Sequence, residues 1–448
     1  MKKCLTPVLT FLLTICVIFS SAPVSAAAYN IDFTLNSEAA LLVNLDTSTV
    51  VFEQNADKKM EPASTTKIMT FIVASEQIKD LSGTKITAKK SVLDQLQGTG
   101  SSLSGVLEGE ELTALQLLNC LMVPSGNDAA MVLADYIGGG DISKFVDLMN
   151  EKAKELGCKN THFANPHGLH DDQHYTTARD LYTITKCAMT LPYFTDITSQ
   201  TRYELPATNK YPKPRTLVTT NYLTDRYIGG DYFYKYAKGI KTGSHDQAGY
   251  CLVSTAIRDG YSYMAIALHA PKIDSTGKSI TTRGEMIDSK KLYEWAFDSL
   301  QIKTVVESGA SVGEVKLDYA WNKDKLLLVA EKSYATILPK GVSASSVLIT
   351  PKLPESVEAP VKKGQVVGTA VLSYANQELT TINLVASESV ERSELLHSAD
   401  VVKKIVTSVW FLVIAGIIVA LVIVYLVLAL LYNKKRKRLR KVKKYRDM

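Results

Sequence analysis

The spacing of apolar positions changes period along the chain, and each change marks a new element. From Ala39 to Phe52 two apolar runs flank the turn Asp46-Thr47-Ser48, a hairpin pattern. After Pro62 the period becomes helical, through Lys67, Met69, Ile72 and Val73 towards Ile78. A proline suits a first helical turn, where its missing N–H would have no partner. Leu112–Leu121 and Ala129–Ile137 carry the same period on either side of a break at Pro124-Ser125-Gly126, and Ile142–Leu156 and Ala178–Met189 extend it. Tyr250–Ile257 and Tyr263–Ala270 read as neighbouring strands, and Lys290–Leu300 as a closing amphipathic helix. Hairpin, helices, strands and a last helix predict an α+β domain with helices packed on an antiparallel sheet.

Beyond Gln301 helical periodicity gives way to short β-rich pieces, among them Val312–Leu317, Leu326–Val329, Val366–Leu372 and Leu379–Leu384, separated by Gly, Pro, Lys and Asn turns. This spacing predicts a small all-β sandwich. The Ser/Glu-rich segment that follows reads as a linker.

Both ends carry membrane signals. Lys2 and Lys3 precede an apolar run from Leu5 to Ser20, and Val24-Ser25-Ala26 supplies small residues for a signal peptidase. At the other end Ile405–Tyr432 is uncharged and long enough to span a bilayer with some tilt. Ten basic residues between Lys434 and Arg446 follow it, a cluster that is retained on the cytoplasmic side. The expected divisions are a signal peptide 1–26, a catalytic domain 27–300, a β-sandwich 301–390, a juxtamembrane linker 391–404, a transmembrane helix 405–432 and a basic cytoplasmic tail 433–448. The formal net charge of +6 is concentrated in the tail and the first residues, so the rest of the chain is mildly acidic. That distribution argues against a nucleic-acid partner and assigns any attraction to anionic lipid to the tail. Cys120, Cys158, Cys187 and Cys251 lie far apart without a CxxC pair, and no pairing follows from their spacing; Cys120 in the apolar stretch Leu115–Met122 and Cys251 in a strand-like run read as small buried hydrophobes.

The candidate chemistry lies in three short motifs. Acyl transfer by a serine needs a hydroxyl, a base beside it and donors for the oxyanion. Ser64-Thr65-Thr66-Lys67 offers the first two, because residues three apart share a helix face. The tetrads Ser82–Lys85 and Ser275–Lys278 contain Gly83 and Gly277 in turn-like surroundings, which disfavours such a face. Lysine acts as a base only if burial or a cationic neighbour lowers its pKa, and Lys241 is a candidate neighbour. Ser125-Gly126-Asn127 places a hydroxyl and an amide at the break between two helices. Lys241-Thr242-Gly243 leads into the strand-like run at Tyr250 and could let an extended substrate approach an edge strand closely.

Together, in this order, the motifs form the set of penicillin-binding proteins and class A β-lactamases. Within that group the chain resembles the low-molecular-mass D-alanyl-D-alanine carboxypeptidases of peptidase family S11. The resemblance rests on Pro62–Thr70, on Val123–Ala130, on Gly239–Gly243 with Ala248-Gly249-Tyr250, on His162–Leu169 and on Thr177–Leu181. It implies that Ser64 attacks the penultimate D-Ala carbonyl of a peptidoglycan stem peptide and that Lys67 takes its proton. Ser125 would pass that proton to the leaving D-Ala. Asn127 would hold the substrate amide and Lys67, Lys241 would supply positive charge, and Thr242, beside Gly243, would hold the substrate carboxylate. The N–H groups of Ser64 and Ser244 would stabilise the oxyanion, and β-lactams would acylate the same serine. No cofactor is implied. His162, His167, His170 and His174 have no acid at metal-ligand spacing, so they are taken as structural and no metal is expected. Arg283 is the nearest arginine beyond the third motif, but its spacing from Ser289 departs from the family pattern and it is left out of the set. A β-lactamase would need an acid to activate its deacylating water. Endopeptidase action on cross-links remains open, and a non-catalytic wall-binding protein would not need all these polar positions.

Overall fold

A computed structural model of the chain describes Tyr29, residues 31–375 and residues 377–446. The expected signal peptide lies outside the described residues. The described chain divides into two compact units. The first holds the chain up to Lys303 together with Ala335–Ser346 and Tyr374–Leu379, and the second holds Thr304–Tyr334, Val347–Ser373 and the chain from Thr380 onward.

The first unit is built on a five-stranded sheet in the order Thr49–Gln54, Ala39–Asn44, Tyr261–Ala270, Gly249–Arg258, Ala237–His245. Every neighbouring pair is antiparallel. Leu41 and Val43 point to one face, into a core formed with the helices Lys67–Gln77, Ala114–Met122, Asn127–Ile137, Ile142–Glu155 and Ala178–Ala188. Leu42, between them, points to the other face with Leu252 and Ala265, onto Met286, Leu292, Tyr293, Ala296 and Phe297 of the helix Gly284–Ser299. Both faces are covered, so the central strands are apolar at consecutive positions rather than alternating. This explains the unbroken run Ala39–Val43 in the sequence.

Lys241-Thr242-Gly243 lies on the edge strand Ala237–His245, whose own apolar pattern is weak because Gly, Lys, Thr and Ser dominate it. Its place is decided by pairing, with Thr242 opposite Leu252 and Ser244 opposite Tyr250. The closing helix starts at Gly284, six residues before the expected Lys290.

The second unit carries a six-stranded sheet in the order Leu348–Lys352, Val366–Tyr374, Gln377–Ala386, Lys325–Ala330, Ser311–Asp318, Ser356–Glu358. Val315, Leu317, Leu326, Leu328 and Leu384 fill its core. The segment read as a linker contains a helix, Glu394–Thr407, whose start is capped when the Ser393 hydroxyl accepts from the Leu396 N–H. The Tyr319 ring sits edge-on against His397 at 5.1 Å, and its hydroxyl donates to Asp400. Ser408 is extended, and the helix Val409–Arg446 follows. Among the described residues Val409–Lys437 is the one helix segment long and apolar enough to cross a membrane.

Packing around the Lys67 helix tests this architecture. Phe71 is fully buried with its ring edge-on to Phe194 at 5.0 Å. Phe71→Ala should cost about 3–5 kcal/mol, from lost transfer energy and an unfilled cavity, as measured by urea unfolding of the first unit. A loss under 1 kcal/mol would contradict the packing described.

Candidate active site

Ser64 lies in a short 3₁₀ turn, Ala63–Thr66, that runs directly into the helix Lys67–Gln77. Three residues make one turn of a 3₁₀ helix, so positions i and i+3 eclipse and Lys67 comes directly under Ser64. The neighbours Ala63, Thr65 and Thr66 are buried, while Ser64 keeps partial access to solvent. The other two tetrads form no such face. Ser82 and Gly83 fold back onto the Asp80 carboxylate, and Thr276 and Lys278 onto that of Asp274.

The Lys67 amine is 0% exposed. Its nitrogen is 2.9 Å from Ser64 Oγ, 2.6 Å from Asn127 Oδ1 and 2.9 Å from the His167 carbonyl oxygen. Two of these partners, the amide oxygen and the carbonyl oxygen, can only accept. A neutral amine has two N–H bonds and one lone pair. In that neutral form the two hydrogens would satisfy Asn127 and His167, and the lone pair would face the Ser64 hydroxyl. Burial drives the Lys67 pKa well below its usual value, the Lys241 charge lowers it further, and Asp128 opposes the shift.

Lys241 is also buried, 1% exposed, and desolvation brings its pKa down to about 7. Its amine donates to the Thr242 carbonyl at 2.9 Å. The Thr242 hydroxyl is bonded to that of Thr220. Gly243 permits the close approach of this strand to the turn. A Cβ there would stand 2.8 Å from Ser64 N and 2.9 Å from Pro62 O, contacts that backbone atoms cannot relieve. Ser125 is buried in the break between helices with φ of 65°, in the left-handed region. It is not one of the three partners of Lys67. Asn127 opens the helix Asn127–Ile137, which carries its amide across to Lys67.

Ser64, Asn127 and Ser244 line a cleft of about 500 Å³ together with Ser101, Ser102, His170, His245, Asp246 and Lys272. Lys67, Ser125, Lys241 and Thr242 are buried and are not among the lining residues. Arg283 is not among the cleft residues. Its Nε donates to Glu285 at 2.9 Å and its guanidinium lies 4.5 Å from the Tyr250 ring centroid.

Two contributors escaped sequence reasoning. The His167 carbonyl is a backbone atom, so no side-chain pattern could announce it. Asp128 stood inside the second motif, and the structure gives it work. Its buried carboxylate accepts from the N–H groups of Ser104, Val106 and Ala129 and from the Ser104 hydroxyl. It thereby fixes the loop whose Ser101 and Ser102 form one side of the cleft. The four histidines part company. His167 and His174 are buried, with pKa values pushed down to about 3 chiefly by desolvation. His170 is more exposed, and its bond to Glu61 raises its pKa.

The two buried histidines have a consequence for stability. In the unfolded chain each takes up a proton near pH 6.5, whereas in the fold each stays neutral until about pH 3. The unfolded state therefore binds more protons in between, and stability falls as the pH is lowered, by up to about 1.4 kcal/mol per unit for each. The urea midpoint of the first unit should drop on going from pH 7 to pH 5, above the range where most carboxylates titrate. A midpoint that stays level across that window would contradict this burial.

Comparison with known proteins fits this geometry. Residues 24–272 match the D-alanyl-D-alanine carboxypeptidase family, peptidase S11, and residues 301–392 match the C-terminal domain of penicillin-binding protein 5. The chain is 30% identical over 358 residues to D-alanyl-D-alanine carboxypeptidase DacF of Bacillus subtilis, covering 80% of this chain and 86% of that protein. It is 29% identical over 368 residues to D-alanyl-D-alanine carboxypeptidase DacC of Escherichia coli, covering 80% and 85%. Among solved structures, penicillin binding protein 5 from Haemophilus influenzae superimposes with a TM-score of 0.64 at 27% identity, over 81% of this chain and 100% of that one. The Streptomyces K15 DD-transpeptidase gives 0.54 at 30% identity, over 60% and 100%. The chain belongs to the peptidase S11 family of D-alanyl-D-alanine carboxypeptidases, serine enzymes that work through an acyl-enzyme intermediate.

Proposed function

We propose that the chain removes the terminal D-Ala from peptidoglycan stem pentapeptides, with Ser64 as nucleophile and Lys67 as its base. The observation that carries this reading is the hydrogen-bond set of the Lys67 amine, which leaves its lone pair to Ser64. Attack on the penultimate D-Ala carbonyl moves the Ser64 proton to Lys67. The oxyanion is met by the N–H groups of Ser64 and Ser244, and Ser125 relays the proton to the departing D-Ala. Thr242 holds the substrate carboxylate, with Gly243 keeping the strand close, and Lys241 supplies positive potential behind it. Asn127 holds the substrate amide as well as Lys67. Water then hydrolyses the ester at Ser64. A β-lactam presents the same carbonyl without a diffusing leaving group, and so labels Ser64.

The surroundings fit a substrate outside the cytoplasm. In this reading residues 1–26 are a signal peptide, 27–300 the catalytic domain, 301–390 the β-domain and 391–404 a stem. The segment 405–432 spans the membrane, and the basic tail 433–448 stays in the cytoplasm. The exposed apolar side chains of Val409–Lys437 and the basic run behind them support this topology.

A synthetic pentapeptide ending in D-Ala-D-Ala, incubated with the ectodomain, should lose one alanine by mass, and Ser64→Ala should abolish both this and labelling by fluorescent penicillin. An unchanged peptide, or labelling that survives Ser64→Ala, would refute the reading. The rate of acylation should rise with pH as Lys67 loses its proton. Because the Lys241 charge lowers the Lys67 pKa, Lys241→Gln should move that rising limb, normalised to its plateau, to higher pH. A limb that stays put or moves down would remove Lys241 from this role.

A further inference from the structure

His174 is buried behind the Ser64 turn, 2% exposed, and none of the chemistry above uses it. Its hydrogen bonds are all determined in direction. The Ala164 N–H donates to Nδ1 at 3.0 Å, so the ring proton is on Nε2. Nε2 is 2.7 Å from Thr66 Oγ1, and therefore donates to it. The Thr66 hydroxyl in turn donates to the Ala63 carbonyl at 2.7 Å. Burial keeps the ring neutral, which preserves this single pattern of donors and acceptors.

The chain of bonds ends on a telling atom. The Ala63 carbonyl and the Ser64 N–H belong to one peptide group, which is planar and trans, so fixing the oxygen fixes the opposite direction of the N–H. Ala63 has φ of 45°, a left-handed conformation that costs a non-glycine residue on the order of 1–3 kcal/mol and must be held by its surroundings. Thr66 is one such hold. Gly168 is the other: a Cβ there would be 1.9 Å from Ala63 O and 2.9 Å from Thr66 Oγ1, so the loop lies directly on this peptide. Bonds in series also polarise one another, which makes the final N–H a better donor.

We infer that His174 is a positioning residue for acyl transfer, acting through Thr66 and the Ala63–Ser64 peptide to aim the Ser64 N–H at the developing oxyanion. The inference rests on the reading of that N–H as an oxyanion donor. It separates His174 from His167, whose contribution to the site is a backbone oxygen that any residue could supply.

The test compares His174→Leu, His174→Gln and Thr66→Val, with activity on a D-Ala-D-Ala peptide expressed per active site titrated with fluorescent penicillin. His174→Leu and Thr66→Val should each lower kcat by about 10- to 100-fold, with KM within about twofold, because misaimed oxyanion donors weaken only the transition state. The double variant should be no worse than the poorer single one, since both cut the same chain. His174→Gln, which can still donate to Thr66, should recover part of the loss. A kcat per titrated site within twofold of wild type, a loss confined to KM, or multiplicative losses in the double variant would each overturn the inference. Should His174→Leu fail to fold, Thr66→Val alone decides by the same kcat criterion. If wild type takes no label, or Ser64→Ala still does, the nucleophile reading has failed instead, and the two failures are distinguishable.

Discussion

Everything in the first unit is arranged so that one primary amine can be taken out of water. An isolated buried ammonium is very costly, and the fold meets that cost by making the neutral form the better fit. Three segments converge on Lys67: the turn that carries Ser64, the helix that begins at Asn127, and the loop that offers the His167 carbonyl. The same desolvation acts on Lys241, whose charge in turn lowers the pKa of Lys67.

This requirement explains features that would otherwise look like separate oddities. The Lys67 helix lies deep against one face of the sheet, with Phe71, Ile68 and Met69 fully buried beneath the site. Ala63 and Ser125 occupy left-handed backbone, one beside the serine and one at the break between helices. Such strain is kept where the surroundings over-determine it. Gly168 and Gly243 let two further segments come within van der Waals contact of the Ser64 turn, where a methyl group would collide with backbone. Catalytic geometry and packing are thus the same contacts seen twice.

The charges divide by burial. Desolvation lowers the pKa of Lys67, Lys241, His167 and His174, whereas the Asp128 carboxylate is held among several donors. Asp128 raises the Lys67 pKa while Lys241 lowers it, so the base is tuned between opposing neighbours. Cleft residues such as His170, Asp246 and Lys272 remain in contact with solvent, as a site that must admit a peptide requires.

Local pattern alone determined much of this protein. Helical period after Pro62, the break at Pro124-Ser125-Gly126 and the apolar strands around Tyr250 and Tyr263 placed the motifs on the right kinds of element. Glycine in the competing tetrads singled out Ser64 from Ser82 and Ser275. The edge strand Ala237–His245 is indicated by Lys241-Thr242-Gly243 and not by periodicity, and its extent is set by pairing with Gly249–Arg258; the helix inside the presumed linker is not anticipated at all. The site divided in the same way. Side-chain identity pointed to Ser64, Lys67 and Asn127, because those roles need particular functional groups. The His167 carbonyl, the left-handed Ala63 and the tautomer of His174 became legible only in three dimensions, because a backbone oxygen, a dihedral angle and a ring proton are properties of an environment and not of a residue type.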